Sequence, residues 1–339
     1  MQKTVLIILS VLVILSAASC GAPQADTEAP DAVSETEEAA PEAEEEDAVP
    51  EVEEEADAVS EEENVEDSVE ASEAEEETAE ESLPRLMDFV DVYGNEHTLV
   101  VDETADMNDY ATDCFVLDGQ HMTYTDSENY TYSLGIDVSY HQGVIDWESV
   151  KDDGYDFAFI RIGYRGYGEG GKLVEDEDFR TNLEGAAAAG LEVGVYFFSQ
   201  AVSEEEALEE AAFVLGILGD AKLDLPVVYD PEFILDGEGN RIDGARTSLL
   251  EGGQVTQNAL AFCGAVGEAG YEAAFYTNML SESEVFDMTA MSGYTVWYAD
   301  YCEVPQTPYG FEFWQYTESG TVSGISGYVD LDIRMIPAG

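Results

Sequence analysis

From Leu134 onward, short apolar runs alternate with segments of helical period. The runs are Leu134–Val138, Phe157–Ile162, Val193–Phe198, Leu225–Tyr229, Ala273–Tyr276, Thr295–Tyr298, Phe311–Trp314 and Val329–Ile333. Helices fit between the early runs, over Trp147–Asp153, Asp178–Ala189, Glu204–Leu218 and Gln254–Glu268. Ser203 followed by Glu206 forms a capping box that opens the third helix. The run Ala186–Ala189 before Gly190 marks the end of the second. Strand, helix, strand at this spacing predicts a parallel α/β sheet, and eight strand runs predict that it closes into a barrel. Too little chain separates the last three runs for full helices. The expected fold is therefore an irregular TIM-like (β/α)5(β)3 barrel, complete in five units and abbreviated in three, over residues 133–339.

The chain before this point reads differently. Phe89–Tyr93 and Thr98–Val101 flank Gly94-Asn95-Glu96, and Phe115–Leu117 and Met122–Tyr124 flank Asp118-Gly119-Gln120. Each is the signature of a hairpin, so residues 85–132 are expected to form a small β-rich accessory segment. His97 and His121 fall there, away from other chemistry-bearing residues. Residues 21–84 are low in complexity and hold no aromatic residue. Such a segment cannot bury enough apolar surface to offset chain entropy and is expected to be disordered. It reads either as a spacer or as a solvated filler.

Residues 1–20 read as an export signal. Lys3 precedes the apolar run Val5–Leu15, which has the length of a signal-peptide core. The run ends in Ser16-Ala17-Ala18-Ser19-Cys20-Gly21, which resembles the bacterial lipoprotein cleavage box. That resemblance implies Cys20 as the lipidated N-terminus and an extracytoplasmic domain anchored to the outer face of the cytoplasmic membrane. The alternative is an ordinary secretory signal cut near Ala18. Cys114, Cys263 and Cys302 are odd in number and sit at no metal-ligand spacing, so neither a disulfide scaffold nor a metal site is expected.

Charge excludes some partners. The 339 residues carry a formal net charge of -65. Between Gly21 and Pro84 there are 28 Asp plus Glu and no Lys or Arg, and from Arg85 onward 48 acids face 10 bases. An acidic surface repels phosphates, so nucleic acid is not an expected partner. Electrostatic attraction to anionic lipids or wall polymers is excluded on the same ground.

In parallel barrels, functional residues sit at the C-terminal ends of strands. The strand ends here supply Asp137; Arg161, Tyr164 and Arg165; Tyr196, Phe198 and Gln200; Asp230 and Glu232; Tyr276 and Asn278; Tyr298 and Asp300; Trp314 and Gln315; and Asp330 with Asp332. Carboxylates and aromatic faces thus gather at one rim, a combination suited to sugars. Residues i and i+2 of a strand share a face, so Asp230 and Glu232 have Cα atoms roughly 6.6 Å apart. Two acids so close cannot easily both ionise, which splits them into a protonated acid and a charged partner. Pro231 between them is acceptable where a strand ends; the competing reading is a surface Asp-Pro-Glu turn. Gly166-Tyr167-Gly168-Glu169-Gly170-Gly171 lacks the context of a phosphate loop and reads as a rim loop. His141 near Asp137 has no evident partners.

Several segments together resemble glycoside hydrolase family 25, the lysozymes. They are Gly135–Gly143 with Ile145-Asp146-Trp147, Phe159–Tyr167, Gly194–Ser199, Pro226–Glu232, Val296–Tyr301, Phe313–Tyr316 and Val329–Asp332. The resemblance implies hydrolysis, without a cofactor, of the β-1,4 bond between N-acetylmuramic acid and N-acetylglucosamine in peptidoglycan. It implies Glu232 as general acid and Asp230 as nucleophile or as the residue that orients the substrate's 2-acetamido group. It implies Asp137 and Asp330 as the rest of an acidic floor. Tyr164, Tyr196, Phe198, Tyr276, Tyr298, Asp300, Trp314 and Gln315 are the expected sugar-binding residues. Pro231 departs from the apolar or aromatic residue often found between the two acids, which puts their spacing in question. A monomer working on its own cell's wall is the expected form. A non-catalytic wall-binding lipoprotein and a glycosidase for another acetamido-sugar polymer, such as chitin, are the competing readings.

Overall fold

The computed structural model describes residues 83–91, 95–236 and 239–338. The signal segment, Cys20 and nearly all of the acidic linker lie outside the described residues. Thirteen strands are present in that part: β1 Arg85–Val90, β2 Glu96–Val101, β3 Phe115–Asp118, β4 His121–Tyr124, β5 Tyr130–Val138, β6 Phe157–Arg165, β7 Leu173–Glu175, β8 Glu192–Ser199, β9 Val227–Pro231, β10 Ala273–Asn278, β11 Thr295–Ala299, β12 Phe313–Gly320 and β13 Val329–Pro337. The helices are α1 Trp147–Asp152, α2 Phe179–Ala189, α3 Glu204–Leu218, α4 Gly252–Glu268 and α5 Met279–Glu284.

Eight strands close into a barrel in the order β5-β6-β8-β9-β10-β11-β12-β13, with β5 pairing to both β6 and β13. A helix follows each of β5, β6, β8, β9 and β10, and only loops follow the rest. One expectation needs correction: β13 runs antiparallel to both β12 and β5. Only residues 321–328 connect β12 to β13, too few for a parallel crossover but enough for a hairpin-like return.

The strands read as unbroken apolar runs because both of their faces are buried. Alternate residues point inward, so Phe157, Phe159, Tyr196, Val228, Ala274, Trp297 and Phe313 fill the barrel interior as one cluster. Ala158, Ile160 and Ile162 point outward, into the larger cluster that includes helix residues such as Ala186, Ala211 and Phe262. The aromatic interior forces glycine onto neighbouring strands. A Cβ on Gly135 would lie 2.2 Å from the Phe157 ring, and one on Gly194 would lie 2.5 Å from the Phe159 ring.

The helix ends follow the sequence signals. Ser203 accepts a hydrogen bond from the Glu206 amide at 3.3 Å, and Glu206 in turn accepts from the Val202 amide at 2.9 Å. Gly190 ends α2 at φ 83°, a left-handed conformation that glycine adopts without strain.

β1 and β2 form one antiparallel hairpin and β3 and β4 another. Phe89, Leu99, Phe115, Met122 and Tyr124 from these hairpins join the same hydrophobic cluster as the outer face of the barrel. Backbone and side-chain bonds add to the attachment, among them Asn108 N to Pro308 O at 3.0 Å and Gly310 N to Asp106 O at 2.8 Å. β5 begins at Tyr130, so the first barrel strand reaches back across the expected boundary at residue 132. No helix among the described residues is long and apolar enough to cross a membrane.

Candidate active site

The rim formed by the C-terminal ends of β5, β6 and β8 to β12 and the start of β13 opens into a cleft of about 480 Å³. Asp137, Asp230, Glu232 and Asp330 all line it. β9 carries the central pair. Its pairing to β10 ends at Tyr229, while its pairing to β8 continues through Asp230 and Pro231, opposite Phe198 and Ser199. Pro231 therefore sits where one ladder has already stopped, and its missing amide hydrogen disrupts little. Asp230 is buried, at 3% exposure, with Oδ1 lacking a hydrogen-bond partner. Glu232 follows the strand and opens to the cleft. Its backbone is fixed by Gln200, whose side-chain amide donates to the Glu232 carbonyl.

Asp137 and Asp330 are directly opposite each other on β5 and β13. Asp330 lies at the beginning of β13, and the reversed direction of that strand is what brings it to the rim. Gln315 donates to Asp137 Oδ2 at 2.7 Å, and its amide oxygen accepts from the Tyr276 hydroxyl at 2.9 Å and the Tyr301 hydroxyl at 3.0 Å. One buried amide thus links an acid to two cleft-lining tyrosines. Asp332, two residues further along β13, lies below the rim and accepts from Trp297 Nε1 at 2.8 Å.

The electrostatics follow from crowding acids with little positive charge. Arg161 is the guanidinium that lines the cleft among the described residues, and it is already paired with Asp176 at 2.8 Å. Burial pushes the Asp137, Asp230 and Asp330 carboxyls well above the usual range. Neighbouring negative charge adds to this, from Asp332 and Glu232 at Asp137, from Glu232 and Asp137 at Asp230, and from Asp137 and Glu318 at Asp330. The walls around the Glu232 carboxyl raise it to about 7, against the opposing pull of Arg161. Burial and crowding therefore favour the protonated forms in this cluster, and Glu232, which faces the cleft, is suited to donate a proton.

Of the expected sugar-binding residues, Tyr196, Phe198, Tyr276, Asp300 and Gln315 line the cleft. Tyr298, Trp314 and Tyr164 do not. Register explains the first two: Trp297 pairs with Phe313 and Ala299 with Gln315 on the inner face, which sends the Tyr298–Trp314 pair outward. Tyr298 stacks on Phe311 at 5.7 Å and donates to Asp300 Oδ2 at 2.8 Å. Trp314 packs edge-on against Phe115 at 5.2 Å and donates to the Asp300 carbonyl at 2.8 Å. Both brace Asp300 from behind. Tyr164 sits at the end of β6 with its ring 5.4 Å from the Arg161 guanidinium carbon.

Trp297, Tyr301 and Glu318 line the cleft without having been expected there, and Arg161, expected at the rim but without a role, lines it too. Strand parity was the available signal. Adjacent strand residues face opposite sides, so Trp314 and Gln315 cannot both line one cleft, and choosing Gln315 selects Phe313 as its inward neighbour. Arg161 is the one charge inside the apolar run Phe157–Ile162. No group of three or more His, Cys, Asp or Glu among the described residues could hold a metal ion, and Cys114, Cys263 and Cys302 are free thiols.

Residues 136–325 match the sequence model of glycosyl hydrolases family 25. The autolytic lysozyme of Clostridium acetobutylicum is 27% identical over 199 residues, which cover 58% of this chain and 54% of that protein. A lysozyme of Streptomyces globisporus is 30% identical over 212 residues, covering 58% of this chain and 65% of the relative. The chain thus spans between half and two thirds of the length of these two relatives. Among solved structures, the modular autolysin LytC of Streptococcus pneumoniae aligns with a TM-score of 0.52 at 21% identity, over 73% of this chain and 56% of that one. This last likeness concerns the fold.

Proposed function

The chain belongs to glycosyl hydrolases family 25, and on that premise we propose that it hydrolyses peptidoglycan at the β-1,4 bond between N-acetylmuramic acid and N-acetylglucosamine. The observation that carries the reading is the pair Asp230 and Glu232, two residues apart at the end of β9 and opening on one cleft. Glu232, raised to about 7 by its surroundings, donates a proton to the leaving oxygen. Asp230, deeper and hydrogen-bond-poor at Oδ1, receives the N–H of the substrate's 2-acetamido group and steadies it as its oxygen attacks the anomeric carbon. Asp137 and Asp330 complete the acidic floor, and Tyr196, Phe198, Tyr276, Asp300 and Gln315 shape the sugar sites. This route retains the anomeric configuration, because the acetamide and then water each attack once from opposite faces.

Purified protein incubated with peptidoglycan and with chitin, followed by mass spectrometry of the fragments, tests the substrate. Muramic acid at the new reducing ends is expected, and release from chitin alone would overturn the reading. Glu232→Gln is expected to lower the rate about 100- to 1,000-fold; near-normal activity would remove Glu232 from its role. Proton NMR of the first product should show the β anomer, and an initial α anomer would refute retention.

The export reading belongs to the same proposal. Cys20 carries the lipid that anchors the protein outside the cytoplasmic membrane, facing the wall, with residues 21–84 as the tether. Cys20→Ala is expected to move the protein from the membrane fraction to the medium. Wild-type protein found mostly in the medium would count against the anchor.

A further inference from the structure

The family-matched residues begin at Ile136, yet one wall of the cleft comes from far upstream. Phe89, Val90 and Asp91, at the end of β1, line the same cleft as Asp230 and Glu232. The hairpin is fixed there from several directions. Phe89 is buried against the barrel and stacks on His97 at 5.2 Å. Asp91 accepts from the Asn95 amide at 2.9 Å and the Asn95 side chain at 3.0 Å, and it bonds to His97 Nε2 at 2.9 Å. His97 Nδ1 lies 3.7 Å from Glu284 on α5, and Thr289 donates to Asp102, just past β2, at 2.7 Å.

Parity along β1 decides what this wall offers. Phe89 points into the core, so Val90 points away from it, 51% exposed at the cleft. α5, which packs on β2, adds Met279 and Leu280 to the cleft lining, and Leu235 joins them from the loop after β9. This wall is aliphatic, in contrast to the aromatic and acidic floor around Tyr196, Trp297 and Asp230. The Asp91 carboxylate within it is engaged by Asn95 and His97.

We infer that the β1–β2 hairpin is a specificity wall for the lactyl-peptide arm of muramic acid, with Val90 as its contact residue. The inference rests on the muramidase reading above. A sugar ring set against an aliphatic wall would leave hydroxyls without partners, which is costly, whereas methyl groups gain from the contact. The substrate's methyl-bearing branches are the acetamide and the lactyl arm with its alanine-containing peptide. The acetamide at the scissile bond is taken by Asp230, and of the branches that remain along the glycan the arm carries the most methyl groups, which assigns it to the wall.

The test measures binding separately from hydrolysis. Glu232→Gln protein, with and without Val90→Ser or Val90→Thr, is titrated calorimetrically with muramyl glycan fragments that carry the peptide and with the same fragments after amidase removal of it. Loss of about half a valine's burial should weaken binding of the peptide-bearing fragments about fivefold. Binding of the stripped fragments should stay within twofold. Equal weakening on both ligands, or none on either, would overturn the inference. Val90-dependent binding together with a wild-type protein that releases no fragments would instead refute the hydrolytic reading and leave the wall in place.

Discussion

Gln200 holds the backbone of Glu232, and if Glu232 is the acid proposed above, Gln200 should affect the rate as well as the stability. Pairing of β8 with β9 ends at Ser199 opposite Pro231. One residue on, the Gln200 side chain takes over, donating to the Glu232 carbonyl and to the Ser199 carbonyl at 3.0 Å, and accepting from the Thr247 hydroxyl at 2.9 Å. Gln200 is fully buried and Thr247 is 4% exposed, so no solvent replaces these bonds when one partner is removed. Gln200→Ala removes three hydrogen bonds of about 0.5–1.5 kcal/mol each, a stability loss of about 2–4 kcal/mol. For a chain of this size that lowers the melting temperature on the order of 10 °C. The carbonyl of Glu232 is then free to shift, and a displacement of about 1 Å at a reacting group costs on the order of 100-fold in rate. The expected result is a fall in kcat of about 10- to 100-fold with KM changed much less, measured on peptidoglycan well below the melting transition. Thr247→Val, which removes only the bond to the amide oxygen, should give a smaller change in the same direction. A Gln200→Ala enzyme that melts lower but keeps its kcat within twofold would show that Gln200 only stabilises the loop.

Three further outcomes follow from the same structure. Glu232 must be protonated to act as an acid, so kcat should fall as pH rises through about 7; a rate still climbing between pH 7 and 9 would contradict its assignment. Glu282, buried on α5 and bonded only through Oε2 to Thr307 at 2.6 Å, has its carboxyl pushed up to about 8 by burial. The folded state therefore holds this proton more tightly than the unfolded chain, whose Glu titrates near 4.3, and the associated stability is lost as pH rises from about 4.3 through 8. Glu282→Gln should melt above wild type at pH 8.5 and alongside it at pH 4, and parallel melting curves at both pH values would refute this. Gly194→Ala sets a Cβ 2.5 Å from the Phe159 ring and 2.8 Å from Leu225 Cβ. It should destabilise the barrel by about 1–3 kcal/mol or more, and an unchanged denaturation midpoint would show that the aromatic interior can yield.

The parts of the fold that could be read from sequence are those fixed by local patterns. The helices α2 and α3 were legible in their caps and glycine stops, and the strands in unbroken apolar runs bounded by polar residues. Those same unbroken runs concealed which side each residue faces. An amphipathic strand displays its parity, but a barrel strand buried on both faces does not, so Tyr298 and Trp314 were as plausible as Trp297 and Gln315. The polar residues settled the matter where they occurred, since Asp137, Asp230 and Gln315 have no reason to point into the outer, helix-covered core. The share of the hairpin in the cleft was not legible, because it depends on a contact between β2 and α5, elements separated by most of the barrel.

The direction of β13 shows how the remaining ambiguity could have been resolved from the chain itself. A carboxylate at the C-terminal end of a parallel eighth strand would have been Asp332, whereas the residue at the rim is Asp330, at the strand's beginning. Residues 321–328 leave no room for a crossover, so β13 must return antiparallel, and its first residues must then meet the last residues of β5. That meeting places Asp330 opposite Asp137, and it sends Asp332 below the rim to bond Trp297 at 2.8 Å. The two acids are therefore not interchangeable. Asp332 acts on the cleft from behind, by holding Trp297 and as the neighbouring charge that most raises Asp137, while Asp330 faces the cleft itself. The acidic floor is a consequence of closing the sheet with one reversed strand, and connection length is the sequence feature that determines which aspartate reaches the cleft.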